Sequence, residues 1–110
     1  MIRVLLANEP RAYREAMAGA LKHLCPGTEI IVVEPDELDE QIRNLNPHLV
    51  MSSQPVRSLE DHPLPHVLLY PEGESKALVS IDGQQTTIVN VELADLLLVI
   101  NRVQNVVKMS

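Results

Sequence analysis

The sequence predicts a single α/β domain organised around a mostly parallel β-sheet. Short aliphatic runs, typical of strands buried on both faces, alternate with helix-like segments through the first half of the chain. The connections between these segments are short, and this order favours parallel strands joined by right-handed crossovers. With 110 residues, the chain has the length of one domain, which we place at residues 1–110.

The first strand and helix follow one another at the N-terminus. Residues 2–7 (IRVLLA) predict a strand. After it, Asn8 or Glu9 can cap a helix, and Pro10 suits a first helical turn because its missing N–H would have no partner there. Apolar side chains then recur at helical spacing as far as the Pro-Gly pair at residues 26–27, where we expect the helix to end.

A second unit of the same kind leads to the third strand. Residues 29–33 predict strand two, and an apolar stripe at Leu38, Ile42 and Leu45 predicts helix two. The residue before Pro47 disfavours helical backbone, so the helix ends there. Residues 48–52 predict strand three.

The pattern changes in the second half. Three prolines between residues 53 and 65 leave room for one helical turn at most before a fourth strand at 66–70. Two strand-like runs then flank the Asp-Gly pair at 82–83, which predicts a hairpin. The first arm of this hairpin either pairs at the sheet edge or stands apart. The last helix, 91–107, has a long apolar face and Asn90 as its cap.

Composition argues against several classes of function. The net charge is −6, the chain has nine lysines and arginines without a cluster, and its only aromatic residues are Tyr13 and Tyr70. Nucleic-acid binding depends on basic patches and aromatic platforms, so we expect none. The four histidines show no metal-ligand spacing and Cys25 stands alone, so we expect no metal, no cofactor and no disulfide. Without a signal-like or membrane-spanning segment, we expect a cytoplasmic protein.

The first half resembles a known family. The runs IRVLLANEPRAYREAMAGAL and NPHLVMSSQP are similar to the receiver domains of two-component response regulators, particularly those that precede helix-turn-helix output domains. The match is good over residues 1–53, weak over 54–87, and moderate beyond, where 88–103 resembles the last strand and helix. The resemblance implies a flavodoxin-like, mostly parallel five-stranded sheet of order 2-1-3-4-5. The third and fourth helices would be reduced or replaced by a β-hairpin.

The resemblance also locates the phosphorylation positions of the family. Its two metal-binding acids fall on Asn8 and Glu9, and its phosphoacceptor aspartate falls on Ser53, or one residue earlier if the register slips. Its switch Ser/Thr falls on Tyr70 and its lysine on about Val89. Only Glu9 keeps a suitable charge. Mg²⁺ prefers carboxylate oxygens, and a serine cannot form an acyl phosphate, so the resemblance implies a degenerate receiver without phosphotransfer.

Other chemistry has little support in the sequence. A hydrolase nucleophile at Ser52 or Ser53 would need flanking glycines, which are absent. A serine pair at this place more often ends a strand through side-chain hydrogen bonds to the backbone. No nucleophile–base pair stands out, and we expect no enzyme activity.

We therefore expect a non-catalytic pseudo-receiver that acts as a protein-interaction or regulatory module in bacterial-type signalling. Glu9, Tyr70 and Pro71 are candidate interface residues, and self-association into a homodimer is expected where missing helices expose apolar sheet surface. A partly buried ring that caps the sheet explains Tyr70 equally well. The alternative function is a small-molecule or nucleotide site at the carboxyl edge of the sheet, near Asn8, Glu9, Ser53 and Tyr70.

Overall fold

The described part of the chain forms one six-stranded sheet with helices on both faces. The computed structural model describes residues 2–61, 64–69 and 74–109. Within them the strands lie in the order β2-β1-β3-β4-β5-β6. Along the chain the elements are β1 (Ile2–Ala7), α1 (Arg11–Leu24), β2 (Thr28–Val32), a 3-10 turn (Pro35–Glu37), α2 (Leu38–Leu45), β3 (Leu49–Ser52), α3 (Ser58–Asp61), β4 (His66–Leu69), β5 (Lys76–Ile81), β6 (Gln84–Val89) and α4 (Leu93–Met109).

The parallel half of the sheet is centred on β1. This strand pairs in parallel with β2 on one side and with β3 on the other, and β3 pairs in parallel with β4. Leu5 and Leu6 are both fully buried although they point to opposite faces. Burial on both faces explains why the sequence of β1 is a continuous aliphatic run without polar alternation.

The expected mostly parallel five-stranded sheet of order 2-1-3-4-5 is wrong. The sheet is mixed, because β5 pairs antiparallel with β4, and β6 pairs antiparallel with β5. The physical reason is the length of the connection. Only residues 70–75 separate β4 from β5, whereas a parallel crossover needs about a dozen residues or more. The chain therefore turns back beside β4 and adds two strands where a receiver has one.

The hairpin of β5 and β6 lies where the Asp-Gly pair predicts it. Ile81 pairs with Gln84, so Asp82 and Gly83 form a two-residue turn. Their φ angles are 55° and 80°, and positive φ at both positions defines a type I′ turn, whose twist matches that of the arms. The first arm pairs at the sheet edge rather than standing apart. The hairpin thus extends the sheet in its own plane.

Two hydrophobic clusters pack on opposite faces of the sheet. Helices α1 and α4 cover one face, where Leu21 and Ile100 pack on strands β1, β3, β4 and β5. Helix α2 covers the other face, where Leu38 and Ile42 pack on Leu5 and neighbouring strand residues. Val56, Leu59 and Leu64, from the link between β3 and β4, add to this second cover. Beyond it lies what we term the open face of β4, β5 and β6, formed by His66, Leu68, Leu78, Ser80, Gln85 and Thr87.

The start of α1 differs from the expected cap. Pro10, not Asn8 or Glu9, occupies the position before the helix, and its carbonyl accepts the backbone N–H groups of Tyr13 and Arg14 at 3.0 and 3.2 Å. The Glu9–Pro10 peptide bond is cis. Asn8 turns its side chain into the sheet edge instead, which places it at the candidate site. In the described part of the chain, no helix is long and apolar enough to cross a membrane.

Candidate functional site

The carboxyl ends of β1, β3 and β4 meet at one edge of the sheet, and the predicted site residues Asn8, Glu9 and Ser53 lie there. Ala7 pairs with Ser52, so Asn8 and Ser53 leave neighbouring strands at the same level. Two of the predicted phosphorylation positions are therefore in direct contact. The Asn8 amide nitrogen lies 3.3 Å from the Ser53 hydroxyl oxygen. In open α/β sheets this edge is where ligands bind.

Asn8 ties three strands together. Its side chain is fully buried, and its Nδ2 donates to Ser53 Oγ and, at 3.5 Å, to the carbonyl of Leu69 at the end of β4. The Oδ1 atom has no hydrogen-bond partner among the described residues. An asparagine here supplies donors between strand ends, whereas an aspartate would supply only acceptors. The position therefore serves as a clamp between strands.

Ser53 is held by two donors at once. Besides Asn8 Nδ2, the backbone N–H of Glu9 donates to Ser53 Oγ at 2.9 Å. A serine hydroxyl oxygen has two acceptor positions, and both are used. An oxygen with both lone pairs engaged has none left to attack a phosphoryl or acyl group. The geometry at the predicted phosphoacceptor position is that of a structural hydrogen-bond acceptor.

Ser52 and His66 form a pair that resembles a nucleophile and its base. In this pair, however, the histidine donates the hydrogen bond and the serine oxygen accepts it. Ser52 Oγ lies 3.1 Å from His66 Nε2 and 2.8 Å from the carbonyl oxygen of Gln54. A carbonyl can only accept, so the single serine proton goes to Gln54 and His66 Nε2 must be the donor. Burial lowers the pKa of His66, which favours its neutral form. Ser52 is itself buried.

A small cleft beside these residues carries two acids. It has a volume of about 60 Å³ and lies between the ends of β1 and β3 and the start of α2. Glu9 and Asp39 are its carboxylate-bearing residues. The hydroxyl group of Ser58 and the backbone N–H of Ser58, which donates to Asp39 Oδ1 at 3.0 Å, lower the pKa of Asp39. Across the described ranges, no three His, Cys, Asp or Glu side chains are placed to hold a metal ion together.

Val89, another of the predicted positions, is not brought to this cluster. Val89 ends β6 and is 71% exposed, three strands away from β3. The insertion of antiparallel β5 between β4 and β6 accounts for this separation. Tyr70 and Pro71 lie outside the described residues. The site that the structure assembles consists of Asn8, Glu9 and Ser53, with Ser52 beside them.

Arg14 is a site residue that the sequence analysis did not identify. Its side chain is buried, Nη1 donates to the carbonyl of Asn8 at 3.2 Å, and Nη2 donates to Glu34 Oε2 at 2.7 Å. The arginine thus holds the backbone of Asn8 in place through a hydrogen bond from α1. The sequence contains a signal for the burial of Arg14, because Arg14 shares the helical spacing of Met17, Ala18 and Leu21, which are buried. A charged residue in an apolar stripe predicts a buried ion pair or hydrogen-bonding role.

The chain was compared with protein-family models, with curated proteins and with solved structures. No family model matches it, no curated protein matches it, and no solved structure matches it. The resemblance to receivers therefore stays a prediction from the sequence.

Proposed function

We infer that this protein is a non-catalytic protein-interaction module, in which the carboxyl edge of the sheet has a structural role. The observation that carries the proposal is the double hydrogen bond to Ser53 Oγ from Asn8 Nδ2 and the Glu9 backbone N–H. These contacts occupy the oxygen that phosphotransfer or acyl transfer would require. The same atoms hold β1 and β3 together where a catalytic site would need an open, charged pocket.

The electrostatics of the edge support this proposal. Glu9 is the only carboxylate at the positions where receivers carry two acids and an aspartate, and Asn8 and Ser53 are neutral. Mg²⁺ is bound in proteins through one or two carboxylates together with phosphate and water. Glu9 and Asp39, which line the same small cleft, are both exposed, and within the described residues no third His, Cys, Asp or Glu joins them to hold a metal ion.

The resemblance to receivers supports this proposal only through residues 1–53. Over that stretch, strands and helices alternate as in the family, and β1 lies between β2 and β3. A regulatory role in bacterial-type signalling is the function that the resemblance suggests. Beyond residue 53, the antiparallel hairpin gives the chain a different sheet, and its interaction surfaces are its own.

The alternative of a nucleotide or metabolite site at the same edge has weaker support. Sites for such ligands have volumes of about 300 to 1,000 Å³. The cleft beside Glu9 and Ser53 has about 60 Å³, which is space for one or two water molecules. No observation at this edge favours a small organic ligand over a structural role.

The test is an amide NMR titration of the whole chain with millimolar Mg²⁺, followed by beryllofluoride. We expect no localised shifts at Asn8, Glu9 or Ser53. The matched control is Ser53→Asp, which restores one carboxylate beside Glu9 and should produce Mg²⁺-dependent shifts at these amides. Localised, saturable shifts in the unaltered protein would show a working metal or anion site and would refute the proposal.

A further inference from the structure

Strand β6 leaves one edge of the sheet open. Among the described residues it pairs with β5 on one side only, and its six residues, Gln84–Val89, are exposed or half-buried throughout. The strand contains no charged residue and no proline. Natural proteins usually protect such edges with charges, prolines or bulges, because unpaired backbone groups recruit another strand. The absence of charges and prolines on β6 indicates an edge that is able to pair with a further strand.

The backbone groups available on this edge follow from the register of the hairpin. Ile81 and Gln84 flank a two-residue turn and form a hydrogen-bonded pair, and such pairs alternate with non-hydrogen-bonded pairs along an antiparallel ladder. The pairs of Thr86 and Ile88 with β5 are therefore of the bonded kind. Gln85, Thr87 and Val89 direct their backbone N–H and C=O groups outward, away from β5.

An exposed apolar side chain lies beside this edge. Leu98 of α4 is 67% exposed although it belongs to a helix that packs on the sheet. Arg102 lies one turn further along the same side of α4, and its Nη2 contacts Gln84 Oε1 at 3.3 Å. The side of α4 that carries Leu98 therefore faces β6. Leu98 extends the free edge with apolar surface on the helix-covered face.

We propose that this chain forms a two-fold symmetric homodimer in which β6 pairs antiparallel with β6 of a second copy. A two-fold axis perpendicular to the sheet and passing beside Thr87 aligns Thr87 with its own copy, and Gln85 with Val89. In this register all three outward-facing residues find partners, and about six backbone hydrogen bonds form across the seam. The two sheets become one continuous sheet of twelve strands, six from each copy.

Charge and packing favour a second copy as the occupant. Each chain carries a net charge of −6, yet β6 is uncharged, so no charged side chain of β6 itself opposes its copy across the seam. The two-fold axis also places both α4 helices on the same face of the joined sheet. Their exposed Leu98 side chains approach each other across the seam, and burial of this apolar surface supplements the backbone hydrogen bonds.

The dimer rests on the proposed interaction function, because it names a second copy of the chain as the partner. Dimer formation and the proposed function are nevertheless tested by separate measurements. Sedimentation equilibrium of the whole chain should give twice the 12.3 kDa monomer mass, in a concentration-dependent manner. Failure of the proposed function would instead appear as Mg²⁺-induced shifts at Asn8 and Ser53, which leave the sedimentation result unchanged.

Two variants of Thr87 test the seam. Thr87→Pro removes an N–H that points outward and is not needed for pairing with β5, and Thr87→Lys places like charges on both sides of the axis. Each should raise the dissociation constant at least about tenfold while the circular dichroism spectrum is kept. Asn44→Lys, at an exposed position of α2, adds the same charge away from the seam and should dimerise like the unaltered chain.

Amide hydrogen exchange of the unaltered chain gives a direct measurement that needs no variant. The amides of Gln85, Thr87 and Val89 should become protected as concentration rises, whereas the Thr86 amide is protected already. A chain that stays monomeric at millimolar concentration would refute the dimer. A dimer without protection at Thr87, or one that Thr87→Lys leaves intact, would place the interface elsewhere and refute the proposed seam.

Discussion

Arg14 Nη2 donates to Glu34 Oε2 at 2.7 Å, and this bond joins the buried face of α1 to the segment that follows β2. The two partners differ in environment, since the Arg14 side chain is almost fully buried and that of Glu34 is about half exposed. A buried guanidinium depends on its carboxylate because an unpaired charge in the interior is costly. Glu34 therefore holds the Arg14 side chain in place, and Arg14 in turn donates to the backbone carbonyl of Asn8.

Glu34→Gln should lower the free energy of unfolding by about 1 kcal/mol, since a hydrogen bond to a charged group is weakened while Arg14 stays buried. Urea denaturation at neutral pH measures this loss. The matched control is Glu15→Gln, which breaks the fully exposed pair of Arg11 and Glu15 and should change stability little. Equal effects of the two substitutions would show that burial of Arg14 does not matter.

Ser53→Ala should lower the free energy of unfolding by about 1 kcal/mol, because Asn8 Nδ2 and the Glu9 N–H both lose their acceptor. Thermal or urea unfolding measures the change. Ser80→Ala, on the half-buried open face, provides the comparison and should have a smaller effect. A neutral Ser53→Ala would contradict the structural role assigned to this serine.

Stability should fall on mild acidification through His66. Burial lowers the pKa of His66 below its ordinary value of about 6.5, so the folded state binds the proton less readily than the unfolded state. The stabilisation is complete above that value and is lost as pH falls through it toward the lowered pKa. His66→Gln keeps a donor for Ser52 and should flatten the decrease in Tm between about pH 7.5 and 5.5.

Asp39 provides the control for this pH experiment. Hydrogen bonds from Ser58 lower the pKa of Asp39 below 3.8, so its stabilisation is lost only as pH falls below that value. Asp39→Asn should leave the dependence between about pH 7.5 and 5.5 unchanged and alter only the more acidic range. An unchanged profile in His66→Gln would mean that His66 does not cause the loss near neutral pH.

Two glycines should respond oppositely to alanine. Gly83 has a φ of 80° in the type I′ turn, so Gly83→Ala should destabilise the protein by about 1 kcal/mol. Gly19 lies inside α1 with open space around the added methyl, so Gly19→Ala should stabilise it by about 0.5–1 kcal/mol. Chemical denaturation of both variants checks the signs, and a stabilising Gly83→Ala would rule out the turn described.

Local patterns in the sequence predict local structure well in this protein. The Asp82–Gly83 pair predicts the hairpin because only a few residue types tolerate positive φ at both turn positions, and the hairpin is present. The proline-rich link between β3 and β4 predicts at most one helical turn, and the structure has the four-residue helix α3 there. These features depend on the conformational preferences of adjacent residues.

Strand direction was not predictable from the same patterns. The alternation in Lys76–Ile81 fits a parallel or an antiparallel neighbour equally well, and the five-strand expectation came from the family resemblance. The length of the link at residues 70–75 decides the direction of β5, since a link this short excludes a parallel crossover. The role of Asn8 was also missed, because capping and strand clamping use the same side-chain amide and only the tertiary structure separates them.

The antiparallel β5 separates β6 from the edge of the sheet that carries Ser53. In a sheet of order 2-1-3-4-5, the last strand lies two spacings from β3, about 10 Å. Here β6 lies three spacings away, about 14 Å, so a lysine introduced at Val89 would not reach a phosphoryl group on residue 53. The strand order fixes this separation, so no single substitution on β6 brings a charge to the edge of the sheet that carries Ser53.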